Sequence, residues 1–586
     1  MAFNTTNMPP GRPGQAGPPP GWQELRDQRA AELLNKTKGR KRLFIMLSVV
    51  LLMLLVFAGL RFSAILSGMD EQLVIHVANQ QPAILDLRQL FLVNPDPNLV
   101  RQSNVLPKIG SNVFPKVGSN SENRAFSGFM NYDTTISTGI RDMHVNFLRY
   151  PGGDWGSKNI LSLDQLDDFS DLLTKTNAQG MIQAYLGGPL PNADAQGHPL
   201  VPGGMGTDLA SRAQYAGNWV DYMNNPASDL RRSRPNKLTN QVKLWTIGNE
   251  PDLASINDPT TNQPFTVAGY TAAFIQYSIK MHNSNPEISI FGPEISRFYG
   301  IGAGPRDATG ALWMEQFLQG VAAYEKAHYT DDPQVKDPTK IHFHILDGVS
   351  FHYYPFGGNT PPVEQLLSNA DSWNYLLPAL RNQIRADFRR DMPIALTEIN
   401  TNSSGQQQPT AGQAALWWAD TLGSLINQQV NYIGFFATQG INLTTPYPLF
   451  LNGHQTAMAR VMQIFSHVQS HVVPLSVQHD PLSVYATVDG EQRQNVSLVF
   501  VNKSPDAQNV QVDPAASALS LASPWHSQSV IVGGNSIVLL TLHRNGGAEA
   551  FSFAVPAVND PKNATVGPMN YVICGKSATT DANTPC

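Results

Sequence analysis

From residue 126 onward the chain alternates, eight times over, between a short apolar run and a longer stretch with helical spacing. Few folds accommodate that pattern. A run of four to seven residues rich in Val, Ile, Leu and Phe is too short for a helix and reads as a buried strand. The amphipathic stretch that follows carries the chain back to its starting end, so successive strands lie parallel. The runs fall at residues 126–130, 145–150, 180–186, 243–247, 288–292, 348–352, 394–397 and 432–436. Helical stretches include 210–223, 267–281, 312–327, 363–388, 411–426 and, after the last strand, 456–467. Eight strands with helices between and after them predict an α/β fold, a (β/α)8 barrel, over residues 126–470. An open doubly wound sheet is the competing arrangement, and no Gly-rich phosphate loop follows any of the runs.

A barrel of this kind opens the C-terminal ends of all its strands onto one face, where chemistry is kept. Read together, those ends are polar. The second strand carries Arg149 before a Pro-Gly-Gly turn at 151–153, and the third ends near Gly187 and Gly188. The fourth stops at Gly248 with Asn249 and Glu250, and Pro251 prevents its ladder from continuing. Glu294 ends the fifth strand, His352 and Tyr354 the sixth, Glu398 and Asn400 the seventh, and Gln439 follows the eighth.

Two glutamates on two strand ends suit cleavage of a glycosidic bond. The transition state is oxocarbenium-like, so one carboxylate must stay ionised beneath the anomeric carbon while another carboxyl holds a proton for the leaving oxygen. Their surroundings must push the two pKa values apart. A cation such as Arg149 and a phenol such as Tyr354 beside Glu398 would favour its ionised form. Glu250 is expected in a less polar wall, starting protonated. Arg149, Asn249, His352, Tyr354, Asn400 and Gln439 are the expected substrate-binding groups, with Asn249 placed for a sugar 2-hydroxyl. Arg149 read as a structural ion pair is the plainer alternative. Glu294 reads as a supporting carboxylate rather than a third catalytic one. His342 and His344 alternate as on a strand and read as packing or surface residues. Trp155, Trp245 and Trp313 could line sugar subsites, although the core is the commoner fate of Trp.

Glu250 after Asn249 on the fourth strand, with Glu398 on the seventh, resembles the clan of retaining glycoside hydrolases whose two glutamates occupy those strands. The resemblance implies that Glu250 is the acid/base and Glu398 the nucleophile, with no metal or organic cofactor. Residues 248–252, 398–403 and 416–450 look most like the heparanase and β-glucuronidase family. Residues 149–153 are closer to α-L-arabinofuranosidases, and 397–401 resemble the β-xylosidase and α-L-iduronidase family. One departure stands out. Many members of the clan carry an aromatic residue, often Trp, at the end of strand eight, where this chain has Phe435, Phe436 and Ala437.

The flanks complete the organisation. Residues 1–42 are Pro- and Gly-rich, then basic, and an uncharged run follows at 43–60. Eighteen apolar or small residues reach the lower length of a spanning helix. With the basic cluster on its N-terminal side alone, residues 43–62 are expected to be an uncleaved signal anchor, the tail cytoplasmic and the remainder outside. A cleaved signal peptide, leaving a secreted protein, is the alternative. Residues 63–125 read as a linker that could lend a strand to another domain. From 471 to 555 the period changes to two, with turns at 489–490 and 533–535, which predicts an antiparallel β-sandwich. Residues 556–586 read as a disordered tail holding both cysteines, Cys574 and Cys586, either paired or free. A net charge of −5, spread without long like-sign blocks, argues against a nucleic-acid partner. The expected partners are a carbohydrate and, through one helix, a membrane. A catalytically silent glycan-binding surface protein is the rival from another class.

Overall fold

The structure is a computed structural model. It describes residues 83–86, 105–116, 130, 132–187, 208–232, 234, 240–254, 256–357, 361–403, 409–440, 447–473, 481–489, 494–513, 528–544, 546–555 and 569–574. The expected tail at 1–42 and anchor at 43–62 lie outside these residues. Among those described, no helix is long and apolar enough to cross a membrane.

Eight parallel strands close into a barrel. They are β1 (Lys108–Asn112), β2 (Phe147–Tyr150), β3 (Gln179–Ala184), β4 (Leu244–Ile247), β5 (Ser289–Ile295), β6 (Gly348–Tyr353), β7 (Ile394–Ile399) and β8 (Tyr432–Phe435). Each pairs with the next, and β1 pairs with β8 from Lys108–Tyr432 to Ser111–Phe435 to shut the ring. The interior is layered. Phe147, Met181, Leu244, Phe291 and Ala395, from the starts of five strands, form a buried apolar plug with Tyr432 against it. The Tyr432 ring meets Phe147 and Phe291 edge to face, at 5.7 and 5.5 Å. Side chains two positions further on share the same face of a strand. There the residues are Arg149, Gln183, Thr246 and Thr397, all buried. The barrel is thus apolar below and polar towards its C-terminal mouth.

The first strand is not where the hydrophobic pattern puts it. It is Lys108–Asn112, inside the expected linker, and of the expected strand at 126–130 only Met130 is described, in a bridge to Lys116. The reason is that β1 is selected for space and hydrogen bonding rather than for β propensity. A Cβ on Gly110 would lie 2.1 Å from the Phe147 ring, so only glycine leaves room for that part of the plug. Ser111 donates to the Phe435 carbonyl, and Asn112 Nδ2 donates to the carbonyl of Thr397 at 2.9 Å. The other seven strands and most helices fall within a few residues of expectation. The expected helix at 363–388 breaks into Val363–Leu367, a 3-10 turn at Asn369–Ser372 and Trp373–Phe388. His342 and His344 lie outside any strand, and His344 Nδ1 sits 3.0 Å from Glu325.

The C-terminal region is β-rich. His471–Val473, Leu482–Val488, Asn495–Asn502, Ser536–His543, Ala548–Ala554 and Asn570–Ile573 make a six-stranded antiparallel sheet. A second sheet joins Gln508–Asp513 and Gln528–Val532 to Ala83–Asp86, which pairs in parallel with residues 510–513. The linker therefore does lend a strand. Val484, Leu498, Phe500 and Leu540 of one sheet share a core with Val510, Val512, Val530 and Val532 of the other. The tail expectation is corrected in part. Asn570–Ile573 is an edge strand with Ile573 opposite Glu549, and Cys574 is disulfide-bonded. Cys586, the only other cysteine in the sequence, lies outside the described residues.

Helix Ala411–Asn427 is buried at every position except Gln413, because barrel and β domain press on it from two sides. A Cβ on Gly423 would fall 2.1 Å from the ring of Tyr485, whose hydroxyl donates to Asp420 Oδ1 at 2.6 Å. Lys503 reaches the other carboxylate oxygen at 3.0 Å, with both side chains at most 5% exposed. Removing one partner of a buried ion pair strands the other charge. Asp420→Ala is expected to cost about 3–5 kcal/mol of unfolding free energy, measured by denaturant titration, whereas replacing Asp420 and Lys503 together by Leu and Met costs much less.

Candidate active site

Arg149 sits at the centre of the polar layer with no exposure to water. Nη1 donates to Glu398 Oε1 at 2.8 Å and to Asn112 Oδ1 at 3.0 Å. Nη2 donates to Glu294 Oε2 at 2.6 Å, Asn249 Oδ1 at 2.9 Å and Gln183 Oε1 at 3.1 Å. Burial opposes the charge, but the two carboxylates outweigh it and raise the guanidinium pKa. Glu398 is held from three directions. Besides Arg149, the Gly153 N–H donates to Oε1 at 3.0 Å and the Tyr354 hydroxyl to Oε2 at 2.7 Å. Gly153 has φ +64, and a Cβ there would press to 3.2 Å on Phe436, so the Pro-Gly-Gly turn delivers a backbone donor that a larger residue could present only under strain.

His352 ties the carboxylates together. Nδ1 lies 3.1 Å from Glu250 Oε1 and 3.5 Å from Glu398 Oε2, and Nε2 lies 3.5 Å from Glu294 Oε2. Burial would lower its pKa, but Glu398, Glu250 and Glu294 overcome that and push it up to about 10, so the imidazole is charged at neutral pH. Glu294, raised by burial and pulled down further by Arg149 and His352, ends at about 2. Glu250 goes the other way. Burial raises it to about 7 against the attraction of His352, with Glu398 and Asp154 adding to the rise. Its side chain is 14% exposed, against 4% for Glu398. Glu250 and Glu294, two carboxylates beside the same imidazole, are thus given different proton affinities by their surroundings.

Oxygen atoms of Glu250 and Glu398 and a ring nitrogen of His352 lie within 4.8 Å of one another. That spacing could hold a cation, but the Nδ1 proton of charged His352 already fills the direction between the carboxylates and would first have to leave. Both Glu250 (φ +47) and Glu294 (φ +60) adopt the left-handed region, and the Glu250 N–H donates to the Glu294 carbonyl at 2.9 Å. Backbone strain of this kind, about 1–3 kcal/mol per residue, persists where surrounding structure enforces it.

Of the residues singled out in the sequence, Arg149, Asn249, Glu250, His352, Tyr354 and Glu398 come together. Asn400 does not join them. Its Nδ2 donates to the carbonyls of Phe436 and Tyr447 and its Oδ1 accepts from Thr401, so it braces two loops. Gln439 is buried in a two-residue strand paired with Phe450. Trp245 and Trp313 are core residues, while Trp155 is partly exposed. The aromatic at the end of strand eight is Phe436, edge-on to Tyr354 at 6.2 Å and to Phe114 at 5.8 Å. Asn112, Gln183 and Thr397 were missed. Each is a polar residue at an inward position of a strand, a signal present in the alternation of β3 and β7 but not in the unrecognised β1.

No protein-family model matches the chain, and no curated protein matches it. Solved structures do. A family 51 α-L-arabinofuranosidase from Bifidobacterium longum has a TM-score of 0.51 at 13% identity, covering 75% of this chain and 97% of that one. A thermostable α-L-arabinofuranosidase from Thermotoga petrophila RKU-1 also scores 0.51, at 15% identity, covering 81% and 92%. A Paenibacillus polymyxa xyloglucanase of glycoside hydrolase family 44 scores 0.50 at 12% identity, covering 75% and 98%. The chain has the fold of these enzymes. At such identities the likeness is one of architecture, over nearly the whole of each neighbour.

The shifted groups couple the site to stability. Glu294, depressed from 4.5 to about 2, contributes stability above 4.5 that is lost as pH falls towards 2. His352, raised from 6.5 to about 10, contributes stability that is full below 6.5 and lost as pH rises through 10. The destabilisation caused by His352→Gln, followed by denaturant unfolding across pH, is therefore expected to be largest below about 6.5 and to shrink towards pH 10. A penalty that grew with pH would contradict this assignment.

Proposed function

We propose that the protein is a retaining glycoside hydrolase acting on O-glycosidic bonds by double displacement. The observation that carries the reading is the separation of the two carboxylates, whose nearest oxygens lie within 4.8 Å. Retention needs about 5–5.5 Å between carboxyl groups, and inversion about 6.5–9.5 Å to admit a water. In the first step a Glu398 oxygen bonds to the anomeric carbon as the glycosidic bond breaks, and the Glu250 proton passes to the leaving oxygen. In the second, Glu250, now a carboxylate, takes a proton from water; the water oxygen bonds to the anomeric carbon and Glu398 is released. A proton affinity near 7 suits Glu250 to both halves. Arg149, Gly153 and Tyr354 keep the nucleophile oriented before substrate arrives. Asn249 Nδ2 is buried without a partner among the described residues, a donor available to a sugar hydroxyl. The reaction needs no metal or organic cofactor.

Two versions of the substrate compete, a uronate as for heparanase and β-glucuronidases, or a neutral arabinoside, xyloside or glucan. Charge along most of the mouth favours the neutral one: the segments after β3, β4, β6, β7 and β8, residues 185–208, 248–266, 354–362, 400–410 and 436–456, contain no Lys or Arg, whereas those after β1, β2 and β5 hold Lys116, Arg124, Lys158, Arg297 and Arg306. Arg149 and His352 are both engaged by carboxylates. The names of the structural neighbours, which act on arabinosides and xyloglucan, agree with that version. The protein is further read as anchored by residues 43–62 with the barrel outside the cell. Protease cleavage of the barrel on intact cells tests the orientation.

The central test is hydrolysis of aryl arabinosides, xylosides, glucosides and glucuronides. Activity is expected on a neutral glycoside, with kcat/KM falling above pH about 7. Glu398→Ala is expected to abolish it, and Glu250→Ala to lower kcat by roughly 100-fold or more. Activity surviving both substitutions would refute the site, and a folded protein that binds glycans without cleaving any would favour the silent glycan-binding alternative.

A further inference from the structure

We propose that Glu294 is a positioning residue of this centre, a carboxylate that never meets substrate but holds Arg149 and His352 from behind so that their remaining nitrogens face Glu398 and Glu250. The role in turnover rests on the glycosidase reading; the electrostatic role does not. Glu294 has no exposure to water. Its Oε2 lies 2.6 Å from Arg149 Nη2 and 3.5 Å from His352 Nε2, and its Oε1 accepts from Thr397 Oγ1 at 2.7 Å. The opposite ends of the same two cations reach the mouth, with Arg149 Nη1 2.8 Å from Glu398 and His352 Nδ1 3.1 Å from Glu250. Each cation is therefore a bridge with Glu294 at its inner end. The main chain adds a third tie, the bond from the Glu250 N–H to the Glu294 carbonyl at 2.9 Å.

Charge counting gives this arrangement a purpose. With Glu250 protonated, two cations face two carboxylates and the buried cluster is neutral. Without the Glu294 charge the same cluster carries a net positive charge, and release of the Glu250 proton becomes easier. Burial opposes the charge on His352, and without Glu294 the carboxylates of Glu398 and Glu250 still act against that burial. The other groups around Glu250 and His352 are Tyr354 from β6, Glu398 from β7, Asp154 after β2 and Asp252 after β4. None of them touches Arg149 and His352 together on their inner side. Glu294 thereby sets how strongly the buried cations act on the proton of Glu250. A carboxylate that merely stabilised the barrel would leave that proton alone.

The test uses the full chain and two variants. Glu294→Gln keeps the shape and removes the charge. The alkaline limb of kcat/KM is expected to move to lower pH by about one unit, as for loss of a like charge on the far side of the shared imidazole, and kcat to fall about tenfold with KM nearly unchanged. Glu294→Asp keeps the charge but retracts it by one carbon, so kcat falls while the limb stays near its wild-type position. A carboxyl infrared titration, with the Glu250 band assigned by Glu250→Gln, reads the same shift without any substrate. It separates the two readings, since a band that moves in a protein without glycosidase activity keeps this proposal and sinks that of the preceding section. A folded Glu294→Gln variant whose limb and band do not move overturns the proposal. If the Gln variant does not fold, the Asp variant decides alone, and an undiminished kcat there overturns it.

Discussion

A charged guanidinium sealed from water has to be met by carboxylates and amides, and the two terminal nitrogens of Arg149 impose that demand on five strands of the barrel. Glu398 comes from β7, Glu294 from β5, Gln183 from β3, Asn112 from β1, and Asn249 from just beyond β4. Moving such an ion into a protein interior costs several kcal/mol before compensation, and only good geometry with satisfied hydrogen bonds recovers it. The strands are thus registered by a polar lock as well as by the aromatic plug beneath it. The lock also leaves Glu398 oriented and Glu250 nearby but differently solvated. Fold and chemistry share a single set of contacts here, and the left-handed backbone at Glu250 and Glu294 marks where they conflict.

Seven of the eight barrel strands were legible because each is an apolar run ended by Gly, Pro or a polar residue. β1 was not. Its Gly110 makes way for a ring, while Ser111 and Asn112 answer to carbonyls on β7 and β8, and such partners are invisible in a local pattern. The site divides along the same line. Arg149, Glu250 and Glu398 stood out as charges at the ends of apolar strands. Asn400 shares that position but is consumed by the backbone of the loops after β8, a distinction that depends on contacts more than thirty residues away in sequence. Glu294 reads from the sequence as a supporting carboxylate, yet its contacts with both Arg149 and His352 needed coordinates.

The β domain is fastened to the barrel through helix Ala411–Asn427, which runs between β7 and β8. The Asp420 carboxylate at its centre takes a phenol and an ammonium from the sheet, so the helix that follows the proposed nucleophile strand is clamped from outside. Support from that side limits how far the end of β7 can drift, and geometry within about half an ångström is what such chemistry requires.

The most direct measurement of the central claim is the anomeric configuration of the first sugar released from a cleaved glycoside, followed by proton NMR before mutarotation. Two carboxylates whose nearest oxygens lie within 4.8 Å match the short spacing of a retaining site rather than the wider one that admits a water, so the product should keep the configuration of the substrate. A product of inverted configuration would mean that Glu398 does not bond to the sugar, and the account of this centre would fail.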